Sequence, residues 1–261
     1  MTERWTLHHG DCLDPVTGMA SLPDGSVDVV ITDPPYSEHV HAKQWIGAAL
    51  TANGAPGVAT AHAGLGFTNL TRETASACVD QWARLARRWV LVFCDLEGAE
   101  LWRSVGAPLE YVRTCIWDKI DSAPQFTGDR PANGAEAIVV FSQPGKKRWN
   151  GGGKRNVYRY AVNADRGPKP HPSTKPLALM QELVRDFTDP GELILDPFAG
   201  SGTTGVAALG LGRRFVGWEQ NAEWHAGAIK RLAAVREQPG LFDARPKQPK
   251  PKQAALFGGK P

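Results

Sequence analysis

The stretch Asp33-Pro-Pro-Tyr36 contains groups that suit chemistry on the exocyclic amino group of a nucleic-acid base. Such a group is a poor nucleophile because its lone pair is delocalised into the ring, and a carboxylate and a carbonyl that accept its hydrogens free that lone pair. Asp33 supplies the carboxylate, while Pro34 and Pro35 hold the chain extended with the Pro34 carbonyl outward. Tyr36 offers an aromatic face on which an extruded base can stack. We predict these four residues as the catalytic group.

A glycine-rich turn late in the chain has the composition of a nucleotide-like binding loop. An apolar run ends at Asp196, and Gly200, Gly202 and Gly205 then follow the G-x-G-x-x-G pattern before a helical segment. A carboxylate directly before the glycines would repel a pyrophosphate, but it suits a ligand with an amino group and a positive charge. S-adenosylmethionine (SAM) has both. Glu219, at the end of the next strand, is placed to accept hydrogen bonds from a ribose.

Strand-like and helix-like patterns alternate along most of the chain. Apolar and β-branched runs predict strands at 5–9, 26–32, 89–95, 111–117, 135–141, 193–196 and 214–219. Helical periodicity predicts helices at 71–88, with Thr71 as N-cap, and at 97–105, 177–188 and 224–236. This alternation predicts an α/β fold with a doubly wound, mostly parallel, Rossmann-like sheet.

Acidic residues stand at or just after the carboxyl ends of several predicted strands. Ligands of open α/β sheets bind at those ends. We therefore expect one site lined by five acids, namely Asp11, Asp33, Asp95, Asp196 and Glu219.

Positive charge is concentrated in one segment, although the whole chain has a net charge of only +3. Residues 142–170 are rich in Lys and Arg, with Trp149, Tyr158 and Tyr160 between them, which favours a nucleic-acid contact over a solvated loop. We predict this segment as a target-recognition segment. Its predicted DNA-binding residues are Lys146, Lys147, Arg148, Lys154, Arg155 and Arg159.

Together these motifs resemble the β class of amino DNA methyltransferases, which methylate adenine N6 or cytosine N4. In that class the D-P-P-Y motif precedes the SAM-binding segment, a circularly permuted order that this chain shares. His171-Pro-Ser-Thr-Lys-Pro176 resembles the family's segment for the methionine end of SAM, with Thr174 and Lys175 nearest its carboxylate. The resemblance places Asp11 at the SAM adenine. The full set of implied SAM-binding residues is Asp11, Cys12, Thr174, Lys175, Asp196, Pro197, Phe198, Gly200, Ser201, Gly202, Thr203, Glu219 and Gln220.

The resemblance implies a site-specific enzyme that transfers a methyl group from SAM to a flipped base of double-stranded DNA, without a metal ion. Adenine N6 is the preferred target, and cytosine N4 is the alternative. A restriction–modification role and a homodimer are also considered. Two readings from other classes are an NAD(P)-dependent oxidoreductase, which the glycine pattern also fits, and a catalytically silent nucleic-acid-binding protein.

The chain divides into a catalytic domain at 1–237 and a tail at 238–261 that we expect to be disordered and basic. Residues 37–70 are interpreted as a loop or lid insertion. The tail carries two copies of Q-x-x-L-F, at Gln238–Phe242 and Gln253–Phe257. They resemble peptides that dock onto bacterial sliding clamps, and the alternative is an apolar tail folded back onto its own domain.

Composition favours a cytoplasmic protein, and the resemblance implies a bacterial enzyme or a phage enzyme that acts in the bacterial cytoplasm. The N-terminus lacks an apolar signal core, and no run of about 18 apolar residues predicts a membrane span. The four cysteines are widely spaced without a C-x-x-C pair, so we expect buried thiols in a reducing compartment.

Overall fold

The computed structural model describes residues 4–35, 70–163 and 174–235. Predictions that concern Tyr36, the insertion up to residue 69, residues 164–173 and the tail lie outside these ranges. Within them, eight strands form one sheet. The strands are β1 (Trp5–His9), β2 (Val27–Thr32), β3 (Ala86–Cys94), β4 (Glu110–Asp118), β5 (Ala135–Ser142), β6 (Val157–Arg159), β7 (Leu193–Asp196) and β8 (Arg214–Glu219).

The strand order across the sheet is β1-β8-β7-β2-β3-β5-β4-β6. β5 pairs antiparallel with both of its neighbours, β3 and β4. Every other neighbouring pair is parallel. The predicted α/β fold with a mostly parallel sheet is therefore confirmed.

Helices cover both faces of the sheet. In the described ranges they are α1 (Arg72–Leu85), α2 (Ala99–Val105), α3 (Leu177–Phe187), α4 (Thr203–Gly210) and α5 (Ala222–Ala233). Side chains of β3 alternate between two cores. Trp89, Leu91 and Phe93 pack with α3, α4 and α5, whereas Val90 and Val92 pack with α1 and α2. Burial on both faces explains why this strand is apolar from Trp89 to Cys94.

Element boundaries differ from the predictions at a few ends. The Thr71 side chain accepts a hydrogen bond from the Thr74 amide, which confirms the N-cap of α1. The helix ends at Leu85, three residues before the predicted end, because the chain from Ala86 onward already pairs with β2. Strand β6 was not predicted. It is three residues long and pairs in parallel with the end of β4.

The four cysteines are buried free thiols, in agreement with that expectation. No helix in the described ranges is long and apolar enough to cross a membrane. The same residues contain no group of three or more His, Cys, Asp or Glu side chains arranged to hold a metal ion.

The topology brings the two motif-bearing strands side by side. β2, which leads into Asp33, pairs in parallel with β7, which ends at Asp196, with Val29 opposite Ile194 and Val30 opposite Leu195. Because the strands are parallel, their carboxyl ends lie at the same edge of the sheet. The permuted motifs therefore meet at one edge despite their distance in sequence.

Candidate active site

A cavity of about 500 Å³ opens at the carboxyl ends of the parallel strands. It contains residues from both predicted motif groups, so the structure brings the D-P-P segment and the predicted SAM-binding set together. The predicted residues in its lining are Asp11, Cys12, Asp33, Pro34, Pro35, Thr174, Lys175, Asp196, Pro197, Phe198, Gly200, Ser201, Thr203, Glu219 and Gln220. Tyr36 lies outside the described residues.

A hydrogen bond joins the two motifs directly. The Thr32 hydroxyl, at the end of β2, donates to Asp196 Oδ1 at 3.0 Å. Thr32 immediately precedes Asp33, and Asp196 immediately precedes the glycine-rich turn. The D-P-P segment and the turn therefore border the same space, as transfer of one small group between them requires.

Asp196 is held inside the protein by three donors. Besides Thr32, the Thr204 hydroxyl donates to Oδ2 at 2.6 Å and the Phe198 amide donates to Oδ1 at 3.1 Å. Its side chain is buried, and burial raises the pKa of Asp196 to about 7, although these hydrogen bonds oppose the shift. A nearby cation favours the ionised form of a carboxylate. Asp196 is therefore suited to a positively charged ligand.

The glycines of the turn allow a left-handed backbone conformation at two positions and close helix packing at a third. Gly200 and Gly202 have φ values of 53° and 76°, in the left-handed region that favours glycine. Gly202 is at the N-cap of α4. It was predicted as a SAM-binding residue, but it does not line the cavity. A Cβ at Gly205 would lie 2.6 Å from a Leu232 methyl and 2.8 Å from the Phe215 ring. This glycine allows α4 to pack closely against α5 and β8.

Glu219 connects the turn to the end of β8. Its carboxylate accepts hydrogen bonds from the Gly200 amide at 2.8 Å and the Asn221 amide at 2.7 Å. Burial raises the pKa of Glu219, and the backbone hydrogen bonds from Asn221 and Gly200 oppose that rise. Asp11 lies near this end of the cavity, because the Gly10 amide donates to the Glu219 carbonyl at 3.0 Å.

Lys175 has partners that the sequence did not predict. The resemblance places it beside the SAM carboxylate, and it does line the cavity. In the structure, however, its ammonium donates to Asp33 Oδ2 at 2.6 Å and lies 3.1 Å from Glu136 Oε2. The lysine therefore contacts the predicted catalytic carboxylate.

The prediction that Asp95 lines the cavity is wrong, and one acid that does line it, Glu136, was not predicted. Asp95 is not in the cavity lining, and its carboxylate instead lies beside Gly98 at the start of α2. Glu136 lines the cavity in its place, because β5 runs antiparallel and brings its first residues to this edge. Two consecutive strands with a polar loop between them were the available signal for that reversal. Phe93, Trp117 and Met180 are further lining residues that sequence reasoning missed.

Several of the predicted DNA-binding cations form ion pairs within the chain. Lys147 pairs with Glu110, Arg148 with Asp189 at 3.0 Å, and Arg159 with Asp118 at 2.8 Å. Lys154 pairs with both Glu182 and Asp186 of α3, each at 2.5 Å. Lys146 and Arg155 are exposed.

The aromatic residues of this segment contact α3 to different degrees, and Trp149 remains 36% exposed. Tyr158 is buried and its hydroxyl donates to Asp186 at 3.2 Å. The Tyr160 hydroxyl donates to Glu182 at 2.7 Å, and Trp149 packs edge-on against Phe187 with ring centroids 4.9 Å apart. These contacts attach the segment to α3 and keep the buried Tyr158 ring from stacking on a base, while the DNA contact of the segment stays a prediction.

Both motifs lie within a region that matches a known protein family. The family model N6_N4_Mtase, described as DNA methylase, matches residues 27–230, which include both motifs. The chain belongs to this family of DNA methylases. The family assignment confirms the predicted resemblance and the predicted enzyme class, and it argues against the oxidoreductase reading.

Individual relatives support the same fold. The type II methyltransferase M.HinfI of Haemophilus influenzae is 24% identical over 285 residues, covering 96% of this chain and 74% of that protein. The structure of the M1.HpyAVI–SAM complex is 23% identical, with a TM-score of 0.62 over 87% of this chain and 98% of that one. The cytosine-N4-specific PvuII DNA methyltransferase is 18% identical, with a TM-score of 0.63 over 89% and 87% of the two chains.

Proposed function

We propose that this DNA methylase transfers a methyl group from SAM to the exocyclic amino group of a flipped base, with adenine N6 as its target. The observation that carries the proposal is the Thr32–Asp196 hydrogen bond, because it places the D-P-P segment and the glycine-rich turn around one cavity. The family assignment supports DNA as the substrate.

The residues of the cavity fit SAM as the cofactor. Asp196 is a buried carboxylate whose pKa is raised to about 7, and a cationic ligand would favour its ionised form. Glu219 and Asp11 are carboxylates that suit ribose hydroxyls and adenine hydrogens at the other end of the cavity. When bound, SAM supplies an electrophilic methyl group attached to a positively charged sulfur.

The D-P-P-Y residues would act on the acceptor nitrogen. Asp33 and the Pro34 carbonyl accept the amino hydrogens, and Tyr36 keeps its predicted role of stacking on the base. The N–CH₃ bond would form as the C–S bond breaks, and the electron pair of that bond would stay on sulfur. The nitrogen would then lose a proton, which Asp33 would accept and pass to water. Positioning and hydrogen bonding account for this step without a covalent enzyme intermediate.

The decisive experiment identifies the product. Purified protein is incubated with unmethylated DNA and tritiated SAM, and the DNA is then digested to nucleosides for mass spectrometry. We expect N6-methyldeoxyadenosine, absent with Asp33→Ala. N4-methyldeoxycytidine would show that the target is cytosine. The absence of any labelled nucleoside would support the alternative of a catalytically silent DNA-binding protein. Sequencing the modified DNA gives the recognition site and tests a restriction–modification role.

We also propose that the tail binds a bacterial sliding clamp through Gln238–Phe242 and Gln253–Phe257, which lie outside the described residues. Support comes from the two Q-x-x-L-F copies alone. A peptide of residues 236–261 should bind a purified clamp, and the same peptide with both Leu-Phe pairs changed to alanine should not. Sedimentation of the full chain tests whether it forms the homodimer considered above.

A further inference from the structure

Four side chains of alternating charge form a continuous chain that begins at the predicted catalytic carboxylate. Lys175 Nζ lies 2.6 Å from Asp33 Oδ2 and 3.1 Å from Glu136 Oε2. Lys119 Nζ lies 2.6 Å from the other oxygen of Glu136. The exposed fraction of these side chains is 25% for Asp33 and only 10–12% for the other three.

Regular elements hold this charged chain in place. Asp33 follows β2, Lys175 precedes α3, Glu136 is in β5, and Lys119 follows β4. Aromatic rings flank both ammonium groups. Lys175 Nζ lies 5.1 Å from the Phe93 ring centroid, and Lys119 Nζ lies 5.2 Å from that of Trp117.

We propose that Lys175 and Glu136 are positioning residues for methyl transfer. Lys175 fixes the orientation of the Asp33 carboxylate and keeps it ionised, and Glu136 fixes Lys175. The inference rests on the proposed role of Asp33. An ionised carboxylate has about four acceptor sites, so it can accept from an ammonium and an amino group together, whereas a protonated one becomes a donor.

The two carboxylates beside Lys175 favour its charged form. Burial alone would lower the pKa of Lys175, but the charges and hydrogen bonds of Asp33 and Glu136 more than offset this, and its pKa is raised. Lys175 therefore stays cationic through the neutral range. Among the described residues, the titratable groups that interact with Asp33 include Lys175, Asp196 and Cys94, and Glu136 and Lys119 lie behind Lys175.

The first test removes the charge of Glu136 while keeping its shape. With Glu136→Gln at saturating SAM and DNA, we expect the single-turnover rate to fall roughly 100-fold, because a misplaced catalytic group has an effect of that order. The SAM Kd from calorimetry should stay within about threefold of the unmodified value, since the glutamate contacts Lys175 rather than the turn. A rate within about twofold of the unmodified enzyme would overturn the proposal.

The second test compares Lys175→Gln with Lys175→Arg across a pH series. A neighbouring cation favours an ionised carboxylate by one to three pH units, so in Lys175→Gln the acid limb of the rate should move upward by roughly that amount. Lys175→Arg keeps the cation and should keep the limb near its original position. If Lys175 only binds the SAM carboxylate, Lys175→Gln raises the SAM Kd and leaves the limb unmoved, which contradicts the proposal.

A matched control separates positioning from stability. Glu192 is 17% exposed and pairs with Arg88 at 2.5 Å, but it is not in the cavity lining. Glu192→Gln should lower the Tm comparably to Glu136→Gln while the rate and its pH dependence stay unchanged. Should Glu136→Gln fail to fold, Lys119→Gln tests the same chain one step further out, with a smaller rate loss expected. Full activity of Asp33→Ala would instead refute the proposed function itself.

Discussion

The cavity and the basic segment place charged residues in opposite ways. At the cavity, acids from distant parts of the sequence converge because the parallel strands that carry them end at one edge. In the basic segment, cations that are close in sequence are divided among separate acids, such as Glu110, Asp189 and Asp186. Acids at the ends of neighbouring parallel strands therefore predict a shared site, with Asp95 as the exception, whereas cations that are close in sequence do not share one partner.

The strongest test of the cavity is removal of its predicted catalytic carboxylate, Asp33. Asp33→Ala should lower the methylation rate about 1,000-fold or more, because the acceptor nitrogen loses the group that orients it. SAM affinity should remain nearly unchanged, since Asp196 and the turn are intact. Tritiated-methyl transfer and calorimetry measure the two effects. A large loss of SAM affinity would mean that Asp33 belongs to the cofactor end of the cavity instead.

Asp196 should show the opposite pattern, with an effect on binding. Asp196→Asn should weaken SAM binding roughly 10- to 100-fold at pH 8, which corresponds to the loss of one charged hydrogen bond.

The pH dependence follows from the raised pKa of Asp196, about 7. Below that pH the free protein carries a protonated Asp196, which a cationic ligand must ionise, so the SAM Kd should rise by up to about tenfold per pH unit towards acid. Calorimetry in buffers of different ionisation enthalpy should detect the released proton. The Asn variant should bind with a flat pH dependence. Asp95→Asn, at a strand end outside the cavity, is the matched control and should leave both Kd and its slope unchanged.

Much of the cavity could be predicted from the sequence because it depends on local patterns. The runs before Asp33, Asp196 and Glu219 predict buried strands, and the parallel pairing of those strands brings their carboxyl ends to one edge. The missed residues depend on geometry that no local pattern contains. Glu136 reaches the cavity because β5 is reversed, and its contact with Lys175 joins segments far apart in sequence.

The role of the basic segment was harder to predict, because it depends on which of its side chains are exposed to solvent. Tyr158 reads as an aromatic residue between cations, yet its ring is buried and its hydroxyl contacts Asp186. Nothing in the spacing of Lys154 and Tyr158 distinguishes a DNA-facing surface from a strand that packs on its own domain. The ion pairs themselves, however, differ in burial, and this difference predicts which cations can leave their acids for a phosphate.

Replacement of Lys154 should lower the stability of the fold and leave DNA binding unchanged. The side chain of its partner Asp186 is 1% exposed, so Lys154→Gln leaves a buried carboxylate without its cation, at a cost of roughly 3 kcal/mol. Burial already raises the pKa of Asp186 despite the pair. Chemical denaturation should show the loss, while DNA affinity measured well below the Tm should be unchanged. Unchanged stability together with weakened DNA binding would instead show that Lys154 contacts DNA.

The smallest expected effect concerns the exposed cations. The side chains of Arg148 and Lys147 are 67% and 33% exposed, and surface ion pairs contribute about 0–1 kcal/mol, so both can exchange a carboxylate for a phosphate at little cost. Replacing Lys146, Lys147 and Arg148 together with glutamine should weaken DNA binding and flatten its salt dependence by more than Lys146→Gln alone, since each phosphate contact contributes about 0.9 to the slope. A slope equal to that of the single variant would show that Lys147 and Arg148 stay with Glu110 and Asp189. An unaltered slope would place the DNA-binding face on another part of the molecule.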